Sequence, residues 1–471
     1  MRNTLGAFFS LYLATLVLLT GSGLFNTYLG LRLTAAAVAE SWVGALIAVY
    51  YLGLVFGARQ GHKLIIGVGH IRAYAASAAF ATVSVLALVL MDNLWVWLGF
   101  RFVAGLAMVT QFMVLESWLN EQTENNTRGV VFAFYMLISG LGTVAGQLTL
   151  ILFAGLDHKP LVFVSMCFVM SLVPVTLTRR IHPALQVPAP LAFRYYVRRV
   201  PLSLTVLFVA GLITGAFYGL APVYALKQGL SASQAALFVA VSVAAGLLSQ
   251  WPLGRLADRI SRVTMIRINA FLLMMLAVPL WGWQQFSYII LLLFSAGFGV
   301  LQFTLYPLGT AFANDNVEPE RRVGLSAMVY MLYGMGACLG PLVAGMLMRK
   351  LDSGVYFMFV SACAAVLVAV VRQKKVKGDH VSPDAPTQFV PMVDSLQSST
   401  VVAVLDPRVD ADSDVSHDLP AEAEIPLESE LVAQASAGDE QDDGGERKGD
   451  AQDVPAAQTL PEDAGTDQGA H

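Results

Sequence analysis

The sequence predicts an all-α polytopic membrane protein: twelve transmembrane helices in two pseudo-symmetric halves of six, followed by a disordered acidic tail. Three observations carry this. Twelve apolar runs are long enough to cross a bilayer, a glycine pattern recurs between two of them, and the charge changes sign near residue 377. The whole chain is 56% hydrophobic and 13% charged, and its formal net charge is −4. That average hides two pieces. Of 33 acidic residues, 22 lie after Lys377, against three of the 29 Lys and Arg. The body is therefore basic and apolar, and the tail is strongly acidic. Few large apolar residues stand in the tail to offset the entropy of ordering it, so disorder is expected.

A helix needs about 20 apolar residues to cross the hydrocarbon core. Suitable runs begin near Gly6, Trp42, Ile71, Leu94, Gly129, Pro160, Pro201, Gln234, Thr264, Ser287, Leu325 and Val355. The first follows Arg2 but is too long for a cleavable leader and has no small-x-small cleavage site, so it counts as a spanning helix. Lys and Arg in the connections set the orientation. With the N-terminus inside, twenty fall in inner segments and five (Arg32, Lys159, Lys227, Arg349, Lys350) in outer ones. Both termini are thus expected in the cytoplasm. Cys167, Cys338 and Cys363 all fall in helices, where packed thiols are more natural than disulfides.

Residues 178–200 hold three prolines and five arginines and form the natural junction. The expected organisation is a first half over 1–178, a cytoplasmic linker over 179–200, a second half over 201–377 and the tail over 378–471. The fifth run has Gly140, Gly142 and Gly146 shortly after Arg128; the eleventh has Gly334, Gly336 and Gly340 shortly after Arg322. Matched spacing after a matched Arg reads as two parallel repeats.

The segment 254–262 (Gly-Arg-Leu-Ala-Asp-Arg-Ile-Ser-Arg) joins the eighth and ninth runs. Gly254, Leu256, Ala257, Asp258, Arg259 and Arg262 resemble the loop motif of the major facilitator superfamily, with Ser261 in place of its usual glycine. The first-half equivalent is Gly57-Ala58-Arg59-Gln60-Gly61, which lacks the aspartate. Arg101 and Gly105 resemble the superfamily's Arg-x-x-x-Gly element, and 336–341 its glycine-proline bend, here in helix 11. The bend lies in helix 5 of drug exporters, so this displacement weakens an exporter reading. The pattern, over about the first 375 residues, is similar to the YcaD-like branch of bacterial facilitators.

That resemblance implies the major facilitator fold and a secondary transporter working by alternating access in the bacterial inner membrane. It implies a gate at Gly254, Asp258, Arg259 and Arg262, with Asp258 facing the positive end of the fifth helix near Arg128. The plainer reading is a basic loop that fixes topology. Glu116 is the one acidic residue inside a predicted helix. It suits a gate carboxylate pairing with Arg128, or a coupling-proton site. Arg101 shares its side of the helix, about 22 Å away along the axis. It either faces the interior or snorkels outward.

Asn26, Tyr28, Gln111, Gln147, Tyr218, Gln302, Tyr306, Tyr330 and Tyr333, with Arg101, are the candidate substrate-cavity residues; the bland alternative is hydrogen bonding between helices. Gly53-x-x-x-Gly57 and the Gly211, Gly215, Gly219 series allow close helix contact. No phosphate-binding loop, His-Glu-x-x-His or paired Cys-x-x-Cys is present, so neither enzyme chemistry, a cofactor nor a metal is expected. The expected partners are a small-molecule substrate, the lipid bilayer and, if Glu116 titrates, protons. Nucleic acid is not expected, and a monomer is. The competing class is a membrane sensor or scaffold that does not transport and acts through its acidic tail. For a transporter, the tail is expected to be dispensable.

Overall fold

A computed structural model describes residues 8–121, 123, 127–153, 155–177, 192–318, 321–371, 389–390, 392 and 397–401. Its helices follow the apolar runs. The first six are α1 (Phe9–Ala35), α2 (Glu40–Val68), α3 (His70–Leu90), α4 (Leu94–Glu121), α5 (Arg128–Thr149) and α6 (Lys159–Met170), the last continued by Leu172–Thr176. The second six are α7 (Pro201–Lys227), α8 (Ala232–Ala257), α9 (Arg262–Ala277), α10 (Tyr288–Asn314), α11 (Arg322–Lys350) and α12 (Val355–Val370). Among the described residues, eleven segments are long and apolar enough to cross a membrane. The twelfth, α12, has 16 residues, about 24 Å at helical rise, which suffices for a thinned hydrocarbon core. Most of the linker, 178–191, lies outside the described residues. Phe193–Arg199 is a short helix, and the Tyr196 hydroxyl donates to the Arg321 carbonyl at 2.9 Å, tying it to the start of α11.

The glycine repeat has a direct physical meaning. A Cβ on Gly142 would lie 2.8 Å from the Leu16 carbonyl oxygen, and one on Gly146 2.2 Å from that of Thr20. In the second half, a Cβ on Gly336 would lie 2.2 Å from the Phe208 carbonyl oxygen, and one on Gly340 2.0 Å from that of Leu212. So α5 seats against α1 as α11 seats against α7, at the same four-residue register. Only glycine lets the backbones approach this closely. The first glycine of each set faces across the seam: Gly140 meets Leu247 of α8, and Gly334 meets Val55 of α2.

One expectation fails locally. The first-half segment 57–61 forms no loop; it lies inside α2, which runs on to Val68. Gly53, Gly57 and Gly61 pack on α4 near Phe102, Leu106 and Thr110. That packing favours continuing the helix there. The chain reverses at one residue, Gly69, whose φ is +85°. This left-handed value strains any residue with a Cβ. The second-half motif, by contrast, forms a real connection, 258–261. Ser261 caps α9, its side chain accepting from the Thr264 amide. Its φ is −55°, so nothing demands the family's glycine.

Candidate functional site

For orientation, the "basic end" is the one with the α2–α3, α8–α9 and α10–α11 connections. At the opposite end the halves lock together. A Cβ on Gly44 of α2 would lie 2.1 Å from the Pro341 carbonyl oxygen of α11, and one on Gly345 2.7 Å from that of Glu40. Glu40, the first residue of α2, forms an ion pair with Lys227, the last residue of α7. The glycine-proline bend of α11 therefore serves this seam. Sequence reasoning missed Glu40 because it placed the start of the second run two residues later.

Below this seam a pocket lies between α1 (Ser22, Gly23, Asn26), α2 (Tyr50, Tyr51), α5 (Thr143) and α7 (Tyr218). Gln397, from the sequence expected to be a free tail, completes its lining. What remains of the pocket has space of ≈ 10 Å³ for water centres, enough for about one water. Of the predicted cavity residues, Asn26 and Tyr218 line it directly. Arg101 stands behind them, fully buried. Its Nη2 donates to Asn26 Oδ1 at 3.0 Å, and its guanidinium lies between the rings of Phe25 and Tyr50, 4.5 and 4.4 Å from their centroids. It points inward rather than snorkelling. The sandwich supplies cation–π attraction where water is missing.

The other candidates divide. Gln147 accepts from Thr27 of α1, while its Nε2 is buried without a partner. Both amide atoms of Gln111 and of Gln302, and the Tyr330 hydroxyl, are likewise buried and unpartnered. Tyr306 and Tyr333 pack edge to face at 4.8 Å. Tyr28 is a correction. Its hydroxyl donates to the carbonyls of Leu156 and Asp157, so it braces the α5–α6 connection. It stands two residues on from the pocket-lining Asn26, about 200° round α1, and so faces away from the pocket.

At the basic end the loop motif is an intra-half clamp. Arg262 is buried and donates through Nη1 to the Ala257 carbonyl at 2.8 Å, through Nε to Asp315 Oδ2 at 3.3 Å, and through Nη2 to Asp258 Oδ1 at 3.3 Å. One guanidinium so ties α8, α9 and the end of α10. Asp258 hydrogen-bonds to Arg262 and to the Phe389 amide, at 3.1 Å, rather than to the start of α5 as expected. Arg262 sits four residues away, across the connection, and the Phe389 amide takes the same oxygen. Arg259 is exposed, and Arg128 is buried with its Nε unpartnered. Asp315 carried no motif and was missed.

Glu116 is fully buried in α4. The Tyr135 hydroxyl of α5 donates to its Oε1 at 2.9 Å. The Ser399 amide donates to both carboxylate oxygens at 3.1 Å, and the Ser399 hydroxyl donates to Oε2. The disordered tail expected over 378–471 is thus interrupted: Phe389, Val390, Met392 and Gln397–Ser399 are buried in the body. The clue was in the sequence. Residues 389–405 hold one charge, Asp394, among many apolar residues. The rest of the tail lies outside the described residues.

A family profile described as Major Facilitator Superfamily matches residues 11–305. An uncharacterized MFS-type transporter of Enterobacter sp. (strain 638) is 30% identical over 382 residues, covering 80% of this chain and 97% of that protein. The uncharacterized MFS-type transporter YcaD of Salmonella newport (strain SL254) is 28% identical over 364 residues, covering 77% and 94%. The crystal structure of the nucleoside transporter NupG superposes with a TM-score of 0.64 at 16% identity, covering 77% and 97%; at that identity the likeness shows the fold. Twelve apolar helices, matched halves and these relatives agree: the chain is a multi-pass membrane protein and belongs to the major facilitator superfamily of secondary transporters, in its YcaD-like branch.

Proposed function

We propose that this transporter moves a small polar organic solute across the bacterial inner membrane by alternating access, with its basic end and both termini in the cytoplasm. The observation that carries the reading is the pocket at the seam of the halves, lined by Ser22, Asn26, Tyr51, Thr143 and Tyr218. Hydroxyls, phenols and an amide suit a solute with several hydrogen-bonding groups. Outside that lining, Gln111 and Gln302 also bury unpartnered amides. Each unmet buried group costs about 1–3 kcal/mol, which a polar solute or water would relieve. The seam at the opposite end, held by Glu40 and Lys227, is the closed gate in this reading. The cytoplasmic assignment rests on the excess of Lys and Arg at the basic end.

Glu116 is the group we assign to the coupling proton. It is a buried carboxylate beside a phenol that moves with another helix, and alternating access would change its hydration. Asp258 keeps a gate role here through Arg262, by holding the α8–α9 connection rigid against α10.

The test starts with thermal shifts of the purified protein across sugars, nucleosides, amino acids and organic cations. A stabilising class is then assayed for uptake into liposomes under a pH gradient. We expect one polar class to stabilise and to accumulate. Stabilising ligands that never cross would end the transport reading. A reporter fused at Lys227 should read as external and one after Arg199 as cytoplasmic; the reverse would overturn the orientation.

A further inference from the structure

Five described segments of the molecule touch residues 389–401, and each contact is polar or closely packed. Phe389 fills the space beside Gly254, where a Cβ would lie 2.4 Å from its ring, and its amide donates to Asp258. Deeper along α8, Gln250 Nε2 donates to the Met392 carbonyl at 2.8 Å. Gln397 reaches the pocket itself. The Thr143 hydroxyl of α5 donates to its Oε1 at 3.0 Å, and its Nε2 donates to the Tyr218 hydroxyl of α7 at 3.1 Å. One glutamine so bridges the two halves. Ser399 then gives its amide and hydroxyl to Glu116 of α4.

We propose that the basic-end half of the central cavity is a binding site for a short peptide segment, occupied by the chain's own Phe389, Val390, Met392 and 397–401 as an autoinhibitory plug. Four features fit a peptide. Backbone amides meet carboxylates at Asp258 and Glu116. A backbone carbonyl meets the amide of Gln250. Side chains with hydrogen-bonding ends, Gln397 and Ser399, go to the polar pocket. Apolar ones, Phe389 and Met392, pack near the mouth. The buried carboxylate of Glu116 receives donors rather than water, which removes a large desolvation penalty. The segment occupies the space that Tyr218 and Thr143 would offer a solute, and it spans both halves. It therefore excludes substrate and blocks their relative motion at once. The occupancy stands whether or not the chain transports; the inhibitory consequence rests on the transport reading.

The experiment uses the full chain with Cys167, Cys338 and Cys363 replaced by alanine and Thr143→Cys added. A water-soluble maleimide is applied from the basic end. We expect slow labelling, and a rate at least tenfold faster when Ser399→Asp is also present, because the new carboxylate faces Glu116. Equal rates in two well-folded proteins would overturn the proposal. A second reading does not depend on that variant folding. With Thr143→Cys and Gln397→Cys in the same chain, a short bis-thiosulfonate cross-linker should join them, and the product should carry an intramolecular link on cleavage of the intervening chain. No link would overturn the plug. A linked protein that still transports at full rate, in the liposome assay above, would overturn the inhibitory role while leaving the peptide site intact.

Discussion

Gly142 and Gly146 seat α5 on α1, and Gly336 and Gly340 seat α11 on α7, through contacts with carbonyls spaced four residues apart in both halves. Between these matched frames the chemistry differs. The first half buries Arg101 and Glu116 within α4. Among the described residues of the second half, the buried charges Arg262, Asp315 and Arg322 stand at the ends of α9, α10 and α11, and the interior positions carry neutral groups such as Gln302 and Asn269. The frame is what two halves must share to rock against each other. The charges are where one half can specialise, since a charge inside a bilayer costs about 2.5 kcal/mol or more unless something answers it.

The largest expected effect tests the shared frame. Gly142→Leu and Gly336→Leu should each destabilise by about 3 kcal/mol or more, because the new side chain meets backbone rather than a movable group. That corresponds to a fall in Tm on the order of 6–12 °C, read by fluorescence-detected gel filtration after heating. Equal losses sharpen the symmetry; a tolerant Gly142 beside an intolerant Gly336 would break it. Next comes the asymmetry. Arg101→Lys keeps the charge but loses the planar group between Phe25 and Tyr50, and should cost about 2 kcal/mol. Gln302→Leu, which removes unmet polar atoms, should be neutral or stabilising. If Gln302→Leu costs as much as Arg101→Lys, the second-half interior is not inert.

Glu116→Gln should leave folding intact, spare substrate exchange in liposomes, and abolish substrate-driven proton movement measured with a pH dye. Loss of both would mark Glu116 as a gate residue; change in neither would remove it from the mechanism. Smallest is Glu40→Gln. The pair with Lys227 is partly exposed, so its worth is about 1 kcal/mol after screening, or roughly a fivefold shift toward opening at that end. Single-molecule distances across the seam would record it, and an unchanged distribution would leave the glycine contacts as the whole of the closure.

Most of the fold could be read from the sequence, because bilayer crossing demands long apolar runs and the glycine repeat marks forced backbone proximity. The site was read less well. Asn26, Tyr218 and Arg101 stand in or behind the pocket, where their polarity inside apolar helices pointed. Tyr28 was misplaced because polarity inside an apolar helix does not say which face a residue takes: it stands about 200° round α1 from Asn26. Asp258 was assigned a distant partner because a motif carries no record of which nearby donor wins. Residues 389–401 were absorbed into the composition of the acidic tail, although their own composition is that of a packed segment.

The reversal at Gly69 has a consequence for what lengths the chain tolerates. One residue with φ of +85° joins α2 to α3, whereas four residues join α8 to α9. Adding a single residue at the first joint would turn α3 by about 100° relative to α2. Ala73, Tyr74, Ser77 and Ala81, which α3 now buries, would swing toward lipid, and the Tyr74 hydroxyl would leave Ser171, to which it donates at 3.0 Å. The four-residue joint can absorb the same insertion by reshaping its turn. Insertions and epitope tags should therefore be accepted at 259–261 and refused at 69.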